Sequence, residues 1–294
     1  MKHKTVLLRE AVDELSIKSG NTVVDATFGA GGHAQEIIKR LAGTGTFIGI
    51  DADEKALDVT KLGDTKSTVH LVNDNFGHLR KILSSLHIEA VDAVLADLGW
   101  RMEQFSDNQK GFSFLQSGPL YMTFGQPEKY PFTAEDIVND WAEEVLADII
   151  FGYGEERFAR RIAKAIVEHR QYSRIIDSKE LAEIVEGAVP ARFRKRRIHP
   201  ATKTFQALRI AVNDELGVLE TFLTDAFALL KPGGRLAVIT FHSLEDRVVK
   251  HRFKELKQAG RGVLVHKKPI TPTREEIENN PRARSAKLRI ITKV

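Results

Sequence analysis

Short apolar runs, each closing on an acidic or amide residue, recur through the first third of the chain: Thr22–Asp25, Thr46–Asp51, Val69–Asn73 and Val91–Asp97. Their length and β-branched content predict buried strands. Between them apolar residues recur at helical spacing near His33–Leu41, Glu54–Lys61 and Phe76–Leu86. Strand and helix in alternation predict an α/β fold, a parallel sheet with helices on both faces. The alternation resumes at Leu230, where Pro232-Gly233-Gly234 stops a helix and a strand follows through Thr240. Gly262–His266 and Ala286–Thr292 are the candidates to complete the sheet.

The intervening stretch is too long for a connection, and its pattern is helical. Thr133-x-x-Asp136 reads as a capping box. It opens one helix through Ile137, Val138, Trp141, Val145, Ile149 and Ile150, ended by Gly152 and Gly154. Further helices are predicted through Phe158, Ile162 and Ile166, from Ser178 to Pro190, and after His199-Pro200 through Phe205, Leu208 and Val212. The chain thus divides into a sheet domain, 1–106 with 211–294, and an inserted helical domain, 107–210.

At 294 residues with 42% hydrophobic content, the composition is that of an ordinary globular protein. The net charge of +4 and pI near 9.1 are compatible with nucleic acid but do not identify it. With no cysteine, a disulfide framework and a thiolate zinc site are both excluded. The first residues meet Arg9 and Glu10 before a secretory apolar core develops, and no apolar stretch reaches membrane-spanning length. A soluble cytoplasmic protein is the expectation. A homodimer is compatible with the sequence, which sets no oligomeric state.

The run Val24–His33 joins the first predicted strand to a glycine loop, and a second strand ends about twenty residues later at Asp51. In open α/β sheets this arrangement grips a nucleoside: glycines admit the ligand, and the second acid accepts ribose hydroxyls. Gly29-x-Gly31-x-x-Ala34 also satisfies the loose dinucleotide pattern of an oxidoreductase. Asp25 favours a different cofactor, because a carboxylate at the mouth of the loop repels a pyrophosphate and attracts a cation. S-adenosylmethionine carries a sulfonium and an ammonium and no phosphate.

Asp97-Leu98-Gly99-Trp100 closes the fourth strand at the carboxyl edge, where such sheets bind ligands. An exocyclic amine conjugated to a base is a poor nucleophile. An acceptor such as Asp97 would take its hydrogens, and a ring such as Trp100 would fix the base plane. Their structural alternatives are a turn cap and a core aromatic. Phe241–Arg247 follows the fifth strand: His242 could orient the target, and Ser243 or Asp246 could equally cap the next helix. No second ligand stands at metal-binding spacing from His242, so no metal is expected. Arg192-Phe193-Arg194-Lys195-Arg196-Arg197, with Arg282, Arg284 and Lys287, forms the candidate phosphate-binding surface.

Taken together, these residues resemble the bacterial small-subunit ribosomal RNA cytosine methyltransferases known as the RsmH or MraW family. The likeness includes Val24–His33, Gly49–Asp51, Gly111–Phe114, Tyr153–Ala159, His199–Ile210, Asn213–Glu215, Phe241–Arg247 and Asn280–Arg289. It implies a Rossmann-like class I methyltransferase sheet, mostly parallel and seven-stranded, with an inserted all-helical subdomain that recognises RNA. It also implies methyl transfer from S-adenosylmethionine to the N4 amine of a cytidine in the decoding region, on ribosomal RNA or an assembling small subunit. The family's donor-binding positions fall on Gly31, Gly32, His33, Asp51, Phe76, Asp97 and Gln104. Two segments depart from the family: Trp100-Arg101-Met102 replaces valine and two serines, and Tyr121-Met122-Thr123 replaces Asp-Met-Arg. An RNA-binding homologue with altered chemistry is therefore the alternative reading.

Overall fold

A computed structural model describes residues 4–63, 65–98, 110–194 and 198–294. The chain forms two compact units, Met1–Arg101 with Leu216–Val294 and Met102–Glu215.

The first unit is built on a seven-stranded sheet of order β3-β2-β1-β4-β5-β7-β6. Its strands are β1 (Thr22–Asp25), β2 (Thr46–Asp51), β3 (Thr68–Asn73), β4 (Val91–Asp97), β5 (Leu230–Thr240), β6 (Gly262–Leu264) and β7 (Lys287–Lys293). The first five run parallel, and β7 is antiparallel to both β5 and β6. The sheet is thus mostly parallel and seven-stranded, as the resemblance implies. β5 begins earlier than expected: Leu230 already pairs with Val91, and Pro232-Gly233-Gly234 is absorbed in a register shift before Arg235 pairs with Ala93.

Strand side chains alternate between two apolar layers, as burial on both faces requires. Val24, Ile48, Val94 and Val238 meet Leu83 of α3 (Leu79–Ser85), Phe222 of α10 (Glu215–Leu229) and Phe253 of α11 (Ser243–Gln258). Val23, Phe47, Leu95 and Ala237 face Val12 of α1 (Leu8–Glu14) and Ile37 of α2 (Gly32–Leu41). The helix expected near Glu54–Lys61 is instead two 3-10 turns, Glu54–Ala56 and Val59–Leu62. Asp53 and Asp58 accept the backbone N–H of Lys55 and Thr60, a local pattern that competes with continuous helix.

The second unit is helical: α4 (Ala134–Asp140), α5 (Glu143–Gly152), α6 (Ala159–Arg170), α7 (Ser178–Ala188), α8 (Ala191–Arg194) and α9 (Thr202–Asn213). The Thr133–Asp136 capping box is formed. The single helix expected from Ile137 to Ile150 is two, because Trp141 and Ala142 are extended. That break turns the following face, so Leu146 is buried and Val145 is exposed. α5 and α9 approach closely at Gly154, where a Cβ would stand 2.7 Å from the Lys203 carbonyl oxygen. α12 (Arg274–Asn279) belongs to the first unit.

Candidate active site

Asp51, Asp25 and Asp97 end three adjacent parallel strands, β2, β1 and β4. The loop after β1 is stitched across its neighbours: Ala26 N–H donates to Leu95 O, and Phe28 N–H to Ile50 O, each at 2.8 Å. Gly29 N–H donates to Asp51 Oδ2 at 2.8 Å, while Oδ1 of the same carboxylate accepts the Asp53 N–H at 2.9 Å. These bonds orient Asp51 on the loop. Gly31, at φ +80°, occupies the left-handed conformation that lets α2 begin. Gly32 is required for a second reason: a Cβ there would lie 1.8 Å from Thr5 Oγ1. Close approach at this glycine therefore serves the chain's own N-terminal segment.

Asp25 is buried at 1% exposure. Its Oδ1 accepts the Thr27 N–H at 3.1 Å, and its Oδ2 is buried without a hydrogen-bond partner. Burial, opposed by the Thr27 N–H and reinforced by the charges of Asp97 and Asp51, pushes this carboxyl up to about 7. The Thr27 hydroxyl oxygen accepts the Asp97 N–H at 2.7 Å and so fixes the end of β4. His33, in the first turn of α2, is buried, with Nε2 3.2 Å from Val6 O and Nδ1 3.7 Å from Asp97 Oδ2. Phe76 is half-buried and packs edge-on against Phe222, ring centres 5.1 Å apart.

Neither Ser243 nor Asp246 caps α11. His242 does: its Nδ1 accepts the Glu245 N–H at 3.4 Å, and Glu245 Oε2 accepts the N–H groups of Phe241 and His242. His242 Nε2 lies 3.1 Å from Glu245 Oε1. Asp246 instead holds Lys287 at 2.9 Å and Arg289 at 2.7 Å. Burial of Asp246 is outweighed by Arg289 and Lys287, which hold its carboxyl below the usual range. Lys287, expected on a phosphate-binding surface, is thus engaged by a carboxylate, whereas Arg282 and Arg284 are exposed. Gly99, Trp100, Arg101 and Gln104 lie outside the described residues.

The helical unit carries a cleft of about 580 Å³. Its walls include Arg157, Phe158, Phe193, His199 and Lys203. The Arg157 guanidinium lies over the rings of Phe193 and Phe158, 3.9 and 4.6 Å from their centres. Arg192 is also over Phe193, at 4.8 Å. Arg194 turns away, its Nε and guanidinium N–H groups donating to the carbonyls of Val189 and Gly187 at the end of α7. Lys195, Arg196 and Arg197 lie outside the described residues. Thr123, at a family departure, is fully buried, with its hydroxyl donating to Gly125 O.

Sequence reasoning missed Thr27 as the link between β1 and β4, and Arg157 as the cation stacked in the helical cleft. A lone threonine in a turn carries no signal. Arg157 stands inside the motif Tyr153–Ala159, but its partner Phe193 is thirty-six positions away.

A family model described as the MraW methylase family matches residues 1–294. Among curated relatives, "Ribosomal RNA small subunit methyltransferase H" of Halothermothrix orenii is 43% identical over 310 aligned positions, covering 100% of this chain and 99% of its own. The protein of the same name from Clostridioides difficile is 41% identical, covering 99% of each chain. That from Symbiobacterium thermophilum is 43% identical over 99% of this chain and 96% of its own.

Proposed function

The chain belongs to the MraW methylase family, and from that premise we propose that it methylates the exocyclic N4 amine of a cytidine in the decoding region of small-subunit ribosomal RNA. The observation that carries the reading is the set of three aspartates on adjacent strand ends, one of them buried with an oxygen lacking a partner. Such a site suits a cationic, nucleoside-bearing donor and opposes a pyrophosphate. When bound, S-adenosylmethionine would supply an electrophilic methyl group on a sulfonium that departs as a neutral thioether, so the methylated amine would have one proton to lose.

The chain's own residues take the other roles. Asp51, held by Gly29 and Asp53, offers its remaining lone pairs to ribose hydroxyls. Gly31, Gly32, His33, Phe76 and Gln104 complete the donor-binding set, and Asp25 faces its cationic end. Asp97 receives the amine hydrogens, while Trp100 stacks on the base and His242 orients the target from the start of α11. The helical unit binds RNA, with Arg157 and Phe193 presenting a guanidinium on a ring, a surface suited to phosphates and bases. The partner is small-subunit ribosomal RNA or the assembling subunit, in the cytoplasm. Among the described residues no helix is long and apolar enough to cross a membrane.

Mass spectrometry of small-subunit RNA from cells with and without the gene tests the reading: N4-methylcytidine is lost with the gene. Unchanged content overturns it in favour of an RNA-binding homologue, and calorimetric binding of NAD in place of S-adenosylmethionine would return the oxidoreductase. Asp97→Ala is expected to lower single-turnover methylation by about 10²–10⁴-fold at saturating donor. Intact turnover would remove Asp97 from its role.

A further inference from the structure

The first turn of α2 is covered by Lys4–Leu7, a segment to which the proposed chemistry gives no part. Thr5 Oγ1 takes the space that a Cβ on Gly32 would need, and Val6 O accepts the His33 Nε2–H at 3.2 Å. Val6 and Leu7 are buried. The segment therefore rests on Gly32 and His33, two members of the proposed donor-binding set.

α12 and Asn280 hold this segment from the other end of the chain. Asn280 Nδ2 donates to Lys4 O at 3.1 Å, and Lys4 Nζ donates to Asn279 O at 3.3 Å. Leu7 N–H donates to Glu276 Oε1 at 2.8 Å. That last contact departs from local habit. Thr273 caps α12 by accepting the Glu276 N–H at 3.1 Å, and Thr273-x-x-Glu276 is the sequence of a capping box, whose acid ordinarily returns to the N–H of the cap. Glu276 turns instead to Leu7, 269 positions away. Leu7 needs the anchor, because it sits at φ +50°, a left-handed conformation that a leucine keeps only when its surroundings impose it. Cutting the tie removes the acceptor of a buried residue's N–H and lets that backbone relax, which lifts Thr5 and Val6 from α2.

We infer that Glu276 and Asn280 are positioning residues for the methyl donor: acting through Lys4–Leu7, they hold the first turn of α2 in the form that binds it. The inference rests on the proposed donor-binding set and adds a support drawn from outside the sheet. Linkage gives its consequence. A donor that binds only the attached form loses apparent affinity in proportion to the fraction attached, and its binding in turn tightens the attachment. Methyl transfer from donor already bound is unaffected.

Calorimetry of the intact protein with S-adenosylmethionine, in the absence of RNA, is the first test. Glu276→Ala should weaken donor binding about tenfold and Asn280→Ala about fivefold. Glu276→Gln keeps an acceptor for the Leu7 N–H and should stay within about twofold of the unmutated protein. Arg274→Ala, on the same helix with its side chain in solvent, should leave donor affinity unchanged. Single-turnover methylation by Glu276→Ala at saturating donor should keep its rate, a split between affinity and turnover that general loss of folding does not produce. Hydrogen exchange is the second test: S-adenosylmethionine should slow exchange of the Leu7 amide in the unmutated protein, and Glu276→Ala should hasten it without donor. Unchanged donor affinity in Glu276→Ala, an equal loss in Glu276→Gln, or exchange at Leu7 that ignores the donor overturns the inference. If Glu276→Ala does not fold, Asn280→Ala and donor-dependent exchange in the unmutated protein decide. An unmutated protein that binds no S-adenosylmethionine overturns the donor reading and this inference with it, whereas normal binding with unmoved variants overturns the inference alone.

Discussion

At the carboxyl edge of the sheet, Asp25, Asp51 and Asp97 crowd like charge onto adjacent strands, whereas in the helical unit opposite charges and carbonyls are matched to cations. There Arg174 meets Glu135 and Asp140, Arg170 donates to the Val138 carbonyl, and Arg209 grips Glu215 through two bonds of 2.6 and 2.8 Å. The helical unit uses its charges chiefly to hold helices together, leaving Arg157 and Arg192 over a phenylalanine ring. The sheet unit tolerates an arrangement that costs stability. Like charge gathered at the ligand-binding edge of a parallel sheet suits the reception of a cation. A high density of arginine, by contrast, marks a binding surface only after the structural hydrogen bonds are subtracted.

The contrast is most exposed to Arg209→Ala. Removing one partner of a nearly buried bidentate pair strands Glu215 and should cost about 3–5 kcal/mol in denaturant unfolding. A variant that kept its stability but lost methylation would show that the helical unit's paired charges also serve chemistry, and the contrast would break.

Asp25→Asn probes the other side. The folded carboxyl sits near 7 against an ordinary value of 3.8, so between those values the folded state holds the extra proton. Stability therefore falls as pH rises through that window and levels off above it. Asn removes the penalty, and thermal unfolding above pH 7 should show stabilisation of up to about 4 kcal/mol, with little gain at pH 4. Binding of the cationic donor favours ionised Asp25, so donor affinity should rise between pH 6 and 8 and flatten in the variant. Calorimetry across that range reads both effects, and a pH-independent affinity in the unmutated protein would contradict them.

The smallest change is expected from Arg157→Ala. It should weaken RNA binding and reduce the slope of log affinity against log salt by about one, leaving donor affinity unchanged. An unchanged slope in a filter-binding titration would assign Arg157 to packing alone, sharpening the contrast to one between a reactive and a purely scaffolding unit.

Much of the sheet was legible because its strands are buried on both faces. Runs such as Phe47–Ile50 and Val91–Ala96 have to be apolar throughout, and the acids that close them then stand out. The Thr133–Asp136 box was legible because both partners are local. The break at Trp141 was not, since apolar spacing continues across it and only the backbone turns extended. Nor does helical spacing near Glu54–Lys61 report that Asp53 and Asp58 close short turns there. The same limit governs charge. Lys287 and Arg194 look available for phosphate in the sequence, but Asp246 and the end of α7 engage them. His33 was assigned to the donor by resemblance, and its pairing with Asp97 depends on strand order and the path of Val6, which local pattern does not encode.

The pairing of β4 with β5 also has a consequence during synthesis. When Asp97 has left the ribosome, β4 can join β1, but its other edge is unpaired until roughly 130 further residues have been made. At typical translation rates that is on the order of ten seconds. A naked edge strand rich in valine, leucine and alanine is a template for wrong partners. The helical unit, complete in sequence before β5 appears, can fold in the interval, so the time for which that edge is open is set by translation itself. Slowing elongation within codons 102–215 should therefore lower the yield of soluble protein more than the same delay placed after codon 240.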